Sequence, residues 1–289
     1  MRLLRGVLTP VVSIALVFLF WDLIIRGFAV DTFVAPSPGE TLAALRDNWS
    51  TLWPLALDTI RETVYGFAIG AVLGFALAVL MAQTRIVQNL IYPILITSQA
   101  VPVIALAAPL VILLGFGLGP KIAIVAWIVF FPVAVSVLDG LANVDRDMLA
   151  LARAMGGTRA RVLLHVRLPA TVAPLFSGLK IGATYAVTGA IIGELVASTG
   201  GSLAGFQRTA NGNLDTAAVW GTTLLMTAIG IGWFLLVVAV ERLATPWRHR
   251  ATRRRLPFQA PSSDQDAPRD RKSTRLNSSH VKRSRMPSS

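Results

Sequence analysis

The chain contains no cysteine. Disulfide staples, thiolate metal sites and a cysteine nucleophile are therefore excluded. Histidine is nearly as scarce: His165, His249 and His280 are scattered, without the spacing of a metal-binding set. Charge is thin as well. Only 15% of the 289 residues are Asp, Glu, Lys or Arg, against 54% hydrophobic, where soluble domains carry about 25% charged residues. That depletion points to lipid rather than to a large soluble core. Acidic residues are the rarer charge, 15 against 27 basic. The excess sits at one end: residues 242–289 hold 13 Lys/Arg and 3 Asp/Glu, residues 1–241 hold 14 and 12. A basic tail beside a membrane span marks a cytoplasmic flank near anionic lipid, so no nucleic-acid partner is expected. No GxxxxGK[ST] phosphate loop occurs: in Gly115-Phe-Gly-Leu-Gly-Pro-Lys121, Pro120 precedes the lysine and no Ser/Thr follows. That stretch reads as a tight turn, not as a phosphate cradle. No catalytic residue, metal or cofactor is expected.

What the chain does have is long apolar runs. Six are of membrane length, near 10–30, 61–82, 90–115, 121–140, 176–197 and 219–241. The third contains Pro102 and Pro109 and is expected to be one kinked span inside the bundle. Arg2 and Arg5 precede the first run, as in a signal peptide, but no clean small-residue cleavage site follows. An uncleaved first span is the expectation. With the N-terminus inside, Arg85, Arg146, Arg153, Arg159, Arg161 and Arg167 fall on the cytoplasmic side, and only Arg46 and Arg208 lie clear of the span ends outside. Both termini are then cytoplasmic. The organisation expected is a first span with its external loop (1–60), a core (61–248) and a basic, disordered tail (249–289). Residues 31–60 read as that external loop with a surface helix. Residues 272–289 resemble translated vector sequence and are set aside.

Helices in lipid associate through close backbone approach. The second span carries Gly66, Gly70, Gly74, Ala78 and Ala82, each four residues on. The fifth carries Gly178, Gly182, Ala186 and Ala190 at the same step, with Gly189 and Gly193 on a neighbouring stripe. These are expected packing faces, though they name no partner. Polar residues inside spans are the candidates for function. An acidic side chain at a span centre costs about 2.5–3.5 kcal/mol, and each Leu, Ile or Val returns about 0.3–0.6. Glu194 in the fifth span is thus insertable, and either lines a pathway or bonds a neighbouring helix near an outer gate. Lys180, fourteen residues earlier, lies ~21 Å away, too far to pair with it, and is expected to snorkel. Gln99 beside the Pro102 kink, and Thr184 on the Glu194 face, complete the candidate lining set.

Between the fourth and fifth spans lies a polar, arginine-bearing loop, residues 141–175. Its run Met148 to Met155, containing Ala150, Leu151 and Ala152, has high helix propensity. Gly156-Gly157 should stop that helix. Thr158 should cap a second, from Arg159 to Val166, ended by Leu168-Pro169. The result expected is a compact knob whose apolar face (Leu149, Ala152, Met155, Val162, Leu163, Val166) needs a partner. Rest on the bilayer surface is the alternative use of such a face.

Ala150 to Gly156, followed after nine residues by Val166-Arg-Leu-Pro169, resembles the EAA loop of bacterial ABC importer permeases. Gln99-Ala-Val-Pro102, Phe130-Phe-Pro132, Phe176-Ser-Gly-Leu-Lys180 and Glu241-Arg-Leu-Ala-Thr-Pro-Trp247 are similar to the nitrate/sulfonate/taurine-type members, over residues 60–248. Within that group the match looks closest to permeases for pyrimidine precursors of thiamine. The resemblance implies an all-α polytopic protein of the bacterial inner membrane, with six transmembrane helices and a coupling helix that docks a separate ATPase. It further implies a second permease copy and an extracytoplasmic binding protein, and leaves sulfonate, taurine or nitrate as alternative solutes. A secondary transporter would show internal repeats, which are not seen. A membrane-embedded enzyme built on Glu194, Asp139 and Lys180 is the remaining alternative. One departure stands out: Ala150-Leu151-Ala152 replaces the family's Glu-Ala-Ala, removing an acidic contact.

Overall fold

The computed structural model describes residues 2–28, 31–198 and 201–246. The basic tail and residues 272–289 lie outside the described residues. Every element is helical: α1 (Arg2–Gly27), α2 (Pro38–Asp47), α3 (Trp49–Met81), α4 (Arg85–Ser98), α5 (Val103–Leu114), α6 (Leu118–Ala142), α7 (Arg146–Ala154), α8 (Arg159–Val162), α9 (Leu168–Ala170), α10 (Val172–Ala197), α11 (Leu203–Gly212) and α12 (Thr216–Ala244). Helices are the natural choice for such a sequence, because in hydrocarbon each backbone N–H and C=O must be satisfied within its own segment.

Four of these, α3, α6, α10 and α12, are single helices long and apolar enough to cross a membrane. The pair α4 and α5 passes the same test together but is bent by 102°. The expected kinked third span is therefore a broken one. Pro102 explains the break: it forces the preceding residue out of the helical region and offers no N–H. The chain closes α4 with short turns, Gln99 N–H to the Ile96 carbonyl and Ala100 N–H to the Thr97 carbonyl, and α5 restarts after Pro102. The expected count of six spans is not reached among the described residues. The loop expected over 31–60 is also shorter: α2 is its surface helix, closed by a capping box between Ser37 and Glu40, but α3 starts at Trp49 and runs through Pro54.

The core is a three-helix post, with α6 packed along α3 on one side and α10 on the other. Both small-residue ladders meet α6. A Cβ on Gly70 would lie 2.5 Å from the Ala126 carbonyl oxygen, one on Gly74 2.6 Å from that of Phe130, and one on Gly178 2.7 Å from that of Pro132. Glycine is required at those positions because backbone touches backbone. Val125, Val129, Val133 and Val137 of α6 fill the spaces between. α3 and α6 run parallel, since Gly66, Gly70 and Gly74 meet Val125, Ala126 and Phe130 in turn, and α10 runs antiparallel to both: Gly117, before α6, donates its N–H to the Ala197 carbonyl at the end of α10, 3.1 Å away. α12 packs on α10 and on α2, and Trp220 of α12 lies 5.2 Å from Trp21 of α1.

Candidate functional site

At one end of the post, α7 and α8 form the expected knob. Asp145 caps α7 through the Asp147 N–H, and Thr158 caps α8 through Arg161. Gly156 turns the corner at φ +79°, a conformation that disfavours any Cβ. Gly157 donates to the Ala152 carbonyl at 3.0 Å, and a Cβ there would lie 2.5 Å from that oxygen. Most of the apolar face expected to need a partner is instead the knob's own interior: Val144, Leu149 and Val162 bury together, with Ala152 and Val166 against them, while Leu163 packs on the main core and Met155 alone stays open. The face left open carries Met148, Leu151 and Met155, 56%, 63% and 80% exposed. Steps of three and four residues place them on one stripe of α7. Ala150 is exposed beside that stripe. Arg153, Arg159 and Arg167 turn with Arg85 around a basic concavity of about 800 Å³ that Gly157 also lines.

Leu168-Pro169 does not break the knob from the bundle. Leu163–Arg167 form a π turn, with the Leu168 N–H donating to the Leu163 carbonyl, and helix resumes through α9 toward α10. The wider turn relieves the clash that a proline ring makes with the carbonyl four residues back. Leu168 and Pro169 thus belong to the connection between knob and α10.

Midway along α6, a cavity of about 450 Å³ opens at the α4–α5 break, lined by Gln99, Trp127, Phe131, Ser136 and Tyr185 among others. Pro102 sits at its edge as the residue that starts α5. Thr184 faces elsewhere: it lines a cavity of about 560 Å³ between α10 and α12, with Thr188, Thr223 and Thr227. Its hydroxyl donates to the Lys180 carbonyl.

Glu194 lies at the end of the post opposite the knob and is 2% exposed. One carboxylate oxygen accepts from the Thr59 hydroxyl of α3, the other from the Ala204 N–H in the first turn of α11, 2.9 Å away. A carboxylate at a helix N-terminus complements the free amides there. Beside it, Lys121 Nζ of α6 meets Glu62 Oε1 of α3 at 2.7 Å, both side chains buried. Gln99 and Pro102, Thr184, and Glu194 are therefore three separate places, not one lining. The Lys121–Glu62 pair escaped the sequence reading; a solitary lysine and a solitary glutamate in apolar spans were its signal. Lys180 does not snorkel free: its Nζ meets Glu241 Oε2 of α12 at 2.8 Å. Among the described residues no His/Cys/Asp/Glu group could hold a metal ion.

The family model described as "Binding-protein-dependent transport system inner membrane component" matches residues 66–247. The chain belongs to this family. The permease is 31% identical to a probable ABC transporter permease protein of Haemophilus influenzae, over 78% of this chain and 91% of that one. It is 29% identical to the formylaminopyrimidine transport permease protein ThiX of Halalkalibacterium halodurans, over 84% and 97%. It is 28% identical to the taurine transport system permease protein TauC of Escherichia coli, over 68% and 72%. A crystal structure of an amino acid ABC transporter with histidines shares its fold at a TM-score of 0.51 and 18% identity, covering 68% of this chain and 94% of that one. The permease is thus an all-helical, multi-pass inner-membrane protein of ABC transport.

Proposed function

We propose that two copies of the permease form the membrane path of an ATP-driven importer and carry a small polar solute inward. The observation that carries this reading is the open Met148–Leu151–Met155 stripe on a knob whose own core is already closed. Such a stripe is a docking face for a cytoplasmic ATPase. Closure of two ATPase subunits moves the knobs as rigid bodies, and the helical connection through the π turn passes that movement to α10. Both mid-span cavities border α10, so its displacement changes their access. A binding protein delivers solute at the Glu194 end, and both chain termini lie in the cytoplasm.

The solute is best read as a thiamine-precursor pyrimidine. Support comes from 29% identity over 97% of the formylaminopyrimidine permease, against 24% over 88% of an aliphatic sulfonate permease and 28% over 72% of the taurine permease. Vanadate-sensitive uptake of radiolabelled formylaminopyrimidine, in cells carrying the permease with its ATPase and binding protein, is the test. Uptake that persists with vanadate or without an ATPase overturns the importer reading. Vanadate-sensitive uptake of taurine or nitrate alone overturns only the solute.

A further inference from the structure

We propose that the cavity at the α4–α5 break is a solute-binding site selective for neutral, planar heteroaromatic compounds, and that Gln99 and Tyr185 set this selectivity. The inference rests on the importer reading and assigns its solute site. Three observations converge. The first is position and size: the cavity lies beside the middle of α6, between Trp127 and Ser136, and its 450 Å³ falls in the range of small-molecule sites, about 300–1,000 Å³.

The second is chemistry that is left open. Most hydroxyls on these helices are spent on a carbonyl three or four residues back, as at Thr63, Thr97, Ser177, Thr184, Thr222 and Thr227. Ser136, the Tyr185 hydroxyl and the Gln99 amide make no hydrogen bond among the described residues, and all three line this cavity. Gln99 and Tyr185 are exposed and Ser136 is half-buried, so all three are accessible to an incoming molecule. Their convergence on one concavity is what a ligand bearing donors and acceptors would answer. Gln99 offers both a carbonyl and an NH₂ in one plane, the complement of an amino group beside a ring nitrogen.

The third is what surrounds them. Trp127 and Phe131 stand edge to face, centroids 5.0 Å apart, and Tyr185 adds a third ring to the lining. Aromatic walls favour a flat π-system. No Lys, Arg, His, Asp or Glu lines the cavity. A sulfonate or nitrate would lose its hydration there without a countercharge, which burial penalises heavily.

The test is direct binding of radiolabelled formylaminopyrimidine to the full-length permease purified in lipid nanodiscs, with unlabelled nitrate and ethanesulfonate as competitors. Saturable binding is expected, undisturbed by about a hundredfold excess of either anion. Gln99→Ala and Tyr185→Phe should each weaken it about tenfold, the size of one lost hydrogen bond to a ligand. Thr184→Ala, on the other cavity, should leave it unchanged. Tyr185→Phe removes a single exposed hydroxyl, so it reports on the site even if Gln99→Ala assembles poorly. Absence of binding, displacement by either anion, or wild-type affinity in both variants overturns the proposal. Vanadate-sensitive uptake would be untouched by those results and would still carry the importer reading.

Discussion

Lys121 Nζ and Glu62 Oε1 meet 2.7 Å apart between α6 and α3, with side chains only 10% and 2% exposed. The pair is one unit, because neither charge has water to fall back on. Removing one partner strands the other, at a cost of about 3–5 kcal/mol, while replacing both with apolar residues is often neutral. Lys121→Met is therefore expected to lower the melting temperature in detergent sharply, and Lys121→Met with Glu62→Leu to recover most of the loss. Equal melting of the wild type and Lys121→Met would refute the coupling.

Glu194 joins three elements through its two oxygens, to Thr59 and to Ala204. Glu194→Ala removes a partner from the Thr59 hydroxyl and from the α11 amide together. The Thr59 hydroxyl can still donate to the Leu55 carbonyl, 3.1 Å away, so the Ala204 amide is the group left stranded, at a cost of about 1–3 kcal/mol. Folded yield and uptake should fall in parallel, measured by size-exclusion profile and by transport on the same preparation. Glu194→Gln keeps an acceptor for one of them and should lie between. A Glu194→Ala protein with full yield and no uptake would instead place this carboxylate in the pathway.

The two glycine ladders rank their own substitutions. At Gly70 and Gly74 an added Cβ meets a backbone carbonyl at 2.5 and 2.6 Å, whereas at Gly182 it meets a Val129 methyl at 3.1 Å. Backbone cannot yield as a side chain can. Gly70→Ala and Gly74→Ala should thus destabilise by more than the ~1–3 kcal/mol typical of overpacking, and Gly182→Ala by less. Leucine at Gly70 or Gly182 should prevent assembly. Fluorescence-detected melting in detergent gives the order, and a reversed order would contradict the packing described.

The open stripe on α7 separates docking from folding. Met148→Ser, Leu151→Ser and Met155→Ser together change surface alone, since all three side chains are more than half exposed. The triple variant should melt within a few degrees of the wild type yet lose most ATP-driven uptake and its co-purification with the ATPase. Leu149→Ala, inside the knob, should lower stability by about 2–5 kcal/mol. Retained co-purification in the triple variant would remove the stripe from the docking face.

Helical periodicity and small-residue spacing carried the all-helical reading and both packing faces, because each depends on residues close in sequence. Caps at Asp145 and Thr158 and the corner at Gly156 were legible for the same reason. Longer-range facts were not. That both ladders seat on α6 depends on which helices pack together, and spacing does not encode this. Leu149, Ala152, Val162 and Val166 face into the knob and Met155 out of it, because two amphipathic stripes can satisfy each other as well as a third body. Pro102 predicts a kink, whereas the chain turns there by 102°; Pro169 predicts a break, whereas a π turn absorbs it. A proline reports a lost hydrogen bond, and the surrounding packing decides how the chain recovers.

Direct backbone contact along the α3–α6–α10 post also says where this protein can change. Wherever a carbonyl oxygen fills the room a methyl group would need, no slack exists for drift or for engineering. The elbow at residues 99–102 has no such constraint: its side chains stand in open space, and new ones can be tried without reseating a helix. Attempts to redirect the carrier to other cargo belong at that elbow and on the α6 and α10 faces it overlooks, with the glycine-lined pillar left as it is.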